Sequence, residues 1–238
     1  MTSISAPSYT NEQISAWLRG LLTLAWADGH YDEEEQELIA ALTQSELAPK
    51  TELGTLETIS TDELVTALGH DKGIAENFLR TAVMVAVADG VYSSSEDKVL
   101  REFCQALGLE IAALESLRST LYDREAETSA ETAAAPGAAV EVAPGLRPPE
   151  KTGVDVLAPM RDWLDGMEMH DPRVARFLCK MIPPQCPFER DVKLFGRKVV
   201  HIPPLCKLNP LYEQLVGIRF RALSYLADDC KEDISDYI

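Results

Sequence analysis

One repeat constrains this chain more than any other feature. LTLAWADGHYDEEEQELIAAL at 22–42 aligns with MVAVADGVYSSSEDKVLREF at 84–103 at an offset of 61 residues. The alignment pairs Ala25 with Ala86, Asp28 with Asp89, Gly29 with Gly90, Tyr31 with Tyr92, Glu35 with Glu96 and Leu42 with Phe103. Self-similarity at a fixed offset marks a structural unit used twice. Each copy predicts a helix, a tight turn and a second helix. Ile14, Trp17, Leu18, Leu21, Leu22 and Ala25 follow helical spacing into the first turn. Gly29 and Gly90 suit the close turn after a helix end. Asp32 and Ser93 are good N-caps, with Glu35 and Glu96 three residues on, the pattern of a capping box.

The same acidic turns, Asp28-Gly29…Glu35 and Asp89-Gly90…Glu96, match the second half of an EF-hand calcium loop. The first half fails the match. Position 1 would be Leu24 or Val85 and position 3 Trp26 or Val87, all without the oxygen ligands that calcium needs. The reading preferred on the residues is a capped helix–turn–helix, whose acid stabilises a helix N-terminus. Further helices are expected from Thr61 and through 76–88, 94–107 and about 110–122.

Charge divides the 238 residues unevenly. The formal net charge is −17, and residues 1–122 hold twenty acids against seven bases. Residues 173–221 reverse the balance, with ten Lys and Arg against three acids. Between these regions, EAETSAETAAAPGAAVEVAPGLRPPEKT has no aromatic residue and too little apolar surface to offset chain entropy. The expected organisation is a helical domain at 11–122, a flexible linker at 123–153, a second domain at 154–228 and an acidic tail at 229–238. No apolar stretch reaches the length of a membrane span, and the N-terminus has no secretory pattern. The expected location is the cytoplasm, with reduced cysteines.

In the second domain, Val154–Met169 reads as a helix with Val156, Leu157, Met160, Trp163 and Leu164 inward. Asp171-Pro172 sets an N-cap with proline at the first helical position, and RVARFLCKMI follows. DVKLFGRKVVHI at 191–202 predicts a hairpin around Gly196. Asn209-Pro210 is expected to begin the last helix, with Leu211, Leu215, Ile218, Ala222 and Leu226 as its apolar stripe. A shorter repeat, IPPQC at 182–186 and IPPLC at 202–206, places Cys186 and Cys206 after paired prolines. With Cys179 and His201 they form a candidate metal set, whose thiolates and imidazole suit zinc or an iron–sulfur cluster. Their spacing matches no standard zinc knuckle or ferredoxin run. The alternative is that the three thiols are small packed residues. Cys104 is expected in the core and Cys230 as an incidental thiol in the tail. Arg173, Arg176, Lys180, Arg190, Lys193, Arg197, Lys198 and Lys207 form a candidate basic patch. It would take an anionic ligand, or pair with acids elsewhere in the chain. Net charge argues against nucleic acid as the partner.

The doubled ADG-x-Y-x-x-x-E motif on helices resembles the TerB-like family of tellurite-resistance proteins over about residues 11–122. The resemblance implies an all-helical bundle with acidic residues at two turns, an association with metal or oxyanion stress, and no established catalytic chemistry. This chain departs from two equivalent acidic turns at Ser93-Ser94-Ser95, where the first copy has Asp32-Glu33-Glu34. The IPPxC and NPLYE elements resemble the family called the Mo-dependent nitrogenase C-terminal domain, found mainly in cyanobacteria, over roughly 155–228. The second resemblance implies an accessory role near nitrogen metabolism, not dinitrogen reduction itself.

The expected fold class is therefore mainly α: a helical bundle with a duplicated helix–turn–helix, a linker, and a small helix-rich α+β domain. The chain has no GxSxG, P-loop, GxGxxG or HExxH motif. The expectation is a non-enzymatic accessory or adaptor protein with a protein partner, whose acidic and basic regions could dock on each other. The alternative is a metal-binding or iron–sulfur redox accessory using the C-terminal cysteines.

Overall fold

The computed structural model describes residues 9–27, 58–87, 92–118, 121–122, 155–182, 190–194, 197–202 and 209–238. Eight α-helices lie among them. The N-terminal region holds α1 (Asn11–Ala25), α2 (Thr61–Leu68), α3 (Lys72–Ala86), α4 (Ser94–Ala106) and α5 (Ala113–Arg118). The C-terminal region holds α6 (Ala158–Asp165), α7 (Pro172–Met181) and α8 (Tyr212–Ser224). A parallel bridge joins β1 (Tyr92–Ser93) to β2 (Leu121–Tyr122). An antiparallel hairpin joins β3 (Arg190–Leu194) to β4 (Arg197–Ile202), with Val192 opposite Val200. The mainly helical fold with one C-terminal hairpin is the expected class. The linker expected at 123–153 lies outside the described residues.

Local sequence accounts for where most helices begin. Thr10 caps α1 by accepting from the Gln13 amide at 3.1 Å, while Gln13 Oε1 accepts from the Thr10 amide at 2.9 Å. Ser60 and Glu63 repeat this reciprocal arrangement at α2. Ser93 and Glu96 repeat it at α4, where Glu96 Oε2 accepts from the Ser93 amide at 2.8 Å. Such caps satisfy amides that no preceding turn can reach. Asp71 begins α3 earlier than expected, accepting from the amides of Gly73 and Ile74 at 2.8 and 3.1 Å. Asn209 differs from its expected role. Helix α8 starts only at Tyr212, with Leu211 in the cap position. The buried Asn209 side chain instead accepts from the Leu211 amide at 2.9 Å and donates to the Val87 carbonyl at 2.7 Å.

The apolar faces of these helices meet in one cluster that includes both regions. Its aromatic spine is Tyr9, Trp17, Phe78 and Phe103, with successive ring centroids 5.4, 5.8 and 5.7 Å apart. Gly20 on α1 makes the spine geometry accessible, since a Cβ there would stand 2.7 Å from Phe78 Cζ. From the C-terminal region, Leu157, Met160, Leu164, Leu178, Ile218 and Leu226 enter the same cluster, each fully buried. The contact surface between the regions joins α5 to α6 and brings α1 against Val174 and Phe177 of α7.

Residues 229–238, expected as a tail, are folded. A π-helical turn at Tyr225–Asp229 continues α8, and a 3-10 turn follows at Ser235–Tyr237. Glu232 pairs with Arg176. The buried Arg219 donates to the Ile182 carbonyl at 2.8 Å and to the Tyr237 carbonyl. Its guanidinium ties the end of α7 to the end of the chain. Acidic composition suggested a solvated segment, but ion pairing and the packing of Ile234 and Tyr237 on the core hold it down.

Candidate functional site

The acidic turns divide between described and undescribed residues. Asp28, Gly29, Glu35, Asp89 and Gly90 lie outside the described residues. Glu96 is described, and its carboxylate belongs to the helix cap with Ser93, accepting also from Ser93 Oγ at 2.7 Å. The residues at EF-hand positions 1 and 3 bear on the calcium reading too. Leu24 and Val87 are fully buried in the apolar cluster, so neither could reach a cation. Behind the second turn, Tyr92 is buried and donates to Asp97 Oδ1 at 3.0 Å. Burial and the neighbouring Asp97 carboxylate push the Tyr92 phenol well above its usual pKa. Arg101 Nε holds the other Asp97 oxygen at 2.9 Å.

Of the cysteine set, Cys179 is described. It is buried on α7, where desolvation pushes its thiol up to about 11. The side chains of Cys186, His201 and Cys206 lie outside the described residues. Cys104 is in the core as expected, its thiol pushed up to about 12 by burial. Cys230, expected as an incidental thiol, is buried after the π-helical turn, and burial raises its pKa as well.

The basic residues that can be followed are used inside the fold. Arg173 is 9% exposed and donates to both Asp171 oxygens, at 3.0 Å from Nε and 2.8 Å from Nη2. It also donates to Asn11 Oδ1 at 2.8 Å and to the Tyr9 carbonyl. Arg176 holds Glu232, and the ammonium of Lys180 stands 5.9 Å from the centre of the Tyr237 ring. Arg190, Lys193, Arg197 and Lys198 occupy hairpin positions, Lys193 opposite Lys198. Lys207 lies outside the described residues.

The most developed polar geometry is at the junction of the two regions, which sequence reasoning did not single out. A cleft of about 570 Å³ opens between the first turns of α3 and the 166–170 segment that joins α6 to α7, with Tyr9 at its side. Asn77 is 4% exposed, and its amide donates to the Glu168 carbonyl at 3.1 Å. Arg80 donates from Nε to the Trp163 carbonyl at 2.9 Å and from Nη1 to Asn77 Oδ1 at 3.0 Å. Its guanidinium lies 5.3 Å from the Trp163 ring centroid, an arrangement in which the ring face attracts the cation. Desolvation lowers the Arg80 pKa, while Glu76 and Glu168 oppose that effect. Gly166 gives the guanidinium room, since a Cβ there would stand 3.1 Å from Nη2. Glu168 and His170 pair at 2.8 Å on the exposed rim. Sequence could not place this site, because its residues come from three separate segments.

Two family models match the chain. Residues 42–119 match the tellurite resistance protein TerB, and residues 156–238 match the Mo-dependent nitrogenase C-terminus. The chain is a TerB domain fused to a Mo-dependent nitrogenase C-terminal domain. The TerB match covers α2–α5 and the second copy of the repeat, while α1 precedes it. The nitrogenase C-terminal match runs through the folded end of the chain. No curated protein and no solved structure matches it. These domains are not catalytic nitrogenase subunits, and they fit an accessory role in tellurite resistance or nitrogen metabolism. Among the described residues, no helix is long and apolar enough to cross a membrane.

Proposed function

We propose that this TerB–nitrogenase C-terminal fusion is a non-enzymatic adaptor of the cytoplasm, which couples a partner of one domain to a partner of the other. The observation that carries this reading is the joint between the matched regions. Asn77, Arg80 and Asn209 each make a buried or half-buried hydrogen bond across it, and apolar residues of both regions enter one cluster. A joint of this kind transmits displacement, because packed interiors deform little. Attraction between the acidic N-terminal region and the basic hairpin would add a salt-sensitive component to how the domains dock.

Deleting the gene in the native organism and restoring it tests the role. Survival on tellurite, or growth on dinitrogen as the sole nitrogen source, should fall on deletion and return with the wild-type chain. Deletion strains indistinguishable from wild type in both assays would refute the accessory role.

A further inference from the structure

We propose that the β3–β4 hairpin is the interface of a twofold dimer, in which the open edge of β3 pairs antiparallel with β3 of a second copy of this chain. Two strands alone are marginally stable in water, and further strands or a packed face are what make such a unit hold. Among the described residues, no third strand joins either edge of the hairpin. The two edges are not equivalent. Val192 stands opposite Val200 and Lys193 opposite Lys198, so Val199 is an extra residue on β4. A bulge of this kind bends its own strand and blunts that edge against further pairing. Strand β3, Arg190–Leu194, carries no extra residue, and its outer edge is left able to pair.

The bulge has a second effect, which is to set Lys198 opposite Lys193. Like charges directly opposite each other destabilise a strand pair, so the hairpin alone holds an unfavourable pairing. A twofold axis through Val192 supplies the missing acid. Antiparallel β3–β3 pairing about that axis sets Val192 opposite the partner's Val192, Asp191 opposite the partner's Lys193 and Lys193 opposite the partner's Asp191. Moving the axis to Asp191 or to Lys193 sets like charges opposite each other. Moving it between neighbouring residues sets Val192 opposite a charge and breaks the faces. Strand β3 is complementary to itself in one register, and that complementarity identifies the occupant of its edge as a second copy.

Residues two apart on a strand share a face, as do residues opposite each other on paired strands. One face of the four-stranded sheet therefore gathers Val192, Leu194, Val200 and Ile202 from each copy, and the other carries the Asp191–Lys193 pairs. The bulged β4 strands lie outermost, so pairing closes at two copies and does not propagate.

The test is sedimentation equilibrium of the full chain at about 0.15 M salt, where a Debye length of about 8 Å screens repulsion between two chains of formal charge −17. Wild type should form a dimer with a dissociation constant below about 100 µM. Asp191→Lys and Lys193→Asp should each weaken it about tenfold, because the axis applies each change twice. The two substitutions together should restore it. Lys193→Asp also removes the like-charged pair inside the hairpin, so its loss of the dimer is not a loss of the hairpin. Val192→Cys should oxidise to a covalent dimer beyond the background of the five native cysteines, and Leu194→Cys should not. A wild-type monomer at about 100 µM overturns the proposal, and a hairpin engaged by the acidic region of its own chain would give that result. So does a dimer that the single reversals leave unchanged, a double reversal that fails to restore it, or cross-linking through Leu194→Cys in preference to Val192→Cys. The dimer goes beyond the adaptor reading, and the deletion test can fail while the dimer stands.

Discussion

Two Tyr–Asp–Arg clusters sit in this molecule, built from the same residue types by opposite routes. In the N-terminal region, Tyr92, Asp97 and Arg101 lie within ten residues of one another, and Asp97 and Arg101 are one helical turn apart on α4. At the junction, Asp171 and Arg173 start α7, but their partner Tyr9 is 162 residues away from Asp171. There the Tyr9 amide donates to Asp171 Oδ2 at 3.0 Å and its carbonyl accepts from Arg173. The first cluster stiffens one turn–helix unit. The second fastens the start of the chain to the C-terminal domain. Asp171 is also the deeper of the two acids, 1% exposed against 7% for Asp97. The carboxylate–guanidinium pair common to both, met by the Tyr92 phenol in one and by the Tyr9 backbone in the other, therefore does local work in one place and long-range work in the other, and the long-range cluster carries more risk when broken.

Asp171→Ala should produce the largest effect. It leaves Arg173 buried without its carboxylate and removes the α7 cap, a loss of about 3–5 kcal/mol. Denaturant unfolding measures it. A loss no larger than that from Asp97→Asn would remove the distinction between the clusters. Asn209→Ala, also at the junction, strands the buried Val87 carbonyl and should cost about 1–3 kcal/mol. Hydrogen exchange should then rise at the end of α3 and the start of α8 together. Asp97→Asn weakens the local cluster, where Arg101 keeps Glu115 at 2.7 Å as a second partner, and should cost about 1–2 kcal/mol. Ser93→Ala removes one cap and should cost about 1 kcal/mol, leaving the junction unchanged by exchange.

Acid sharpens the comparison. Burial alone would raise the Asp171 carboxyl, but hydrogen bonds from Arg173 and the Tyr9 amide outweigh it and hold the pKa below its usual value. The unfolded chain, with an ordinary aspartate pKa of about 3.9, then binds the proton more readily than the folded one. This stabilisation is present above about pH 4 and is lost as pH falls through the lower folded value. Thermal melts of wild type and Asp171→Asn across pH 2–6 should converge at the acid end, with the variant's slope shallower. Parallel curves would show that Asp171 does not control acid stability.

The sequence was most legible where interactions are local. Ser93 and Glu96 announced their cap three residues apart, and Asp171-Pro172 announced the start of α7. The hairpin showed in its alternation around Gly196, and the structure pairs β3 with β4 there. Asn209-Pro210 misled, because a capping residue type before proline is ambiguous until its side-chain partner is known. That partner is the Val87 carbonyl, 122 residues distant. The acidic composition of residues 229–238 misled in the same way, since Arg176 and Arg219 neutralise or anchor that segment from elsewhere in the fold. The cleft had no sequence signature, because Tyr9, the Asn77–Arg80 turn and Glu168 come from three segments far apart in the chain.

By itself, then, the sequence determined most of the helices, the caps at Ser93 and Asp171, the hairpin and the two domain families, all of which rest on spacings of a few residues or on motif resemblance. Only the tertiary structure decided that Tyr9 reaches Asp171, that Asn77 and Arg80 grip the 166–170 segment, and that a cleft opens between them. Local rules depend on backbone geometry, which a short stretch of sequence fixes. Contacts between distant segments depend on how whole faces of helices fit together, and that fit is a property of shape and volume that no short stretch contains.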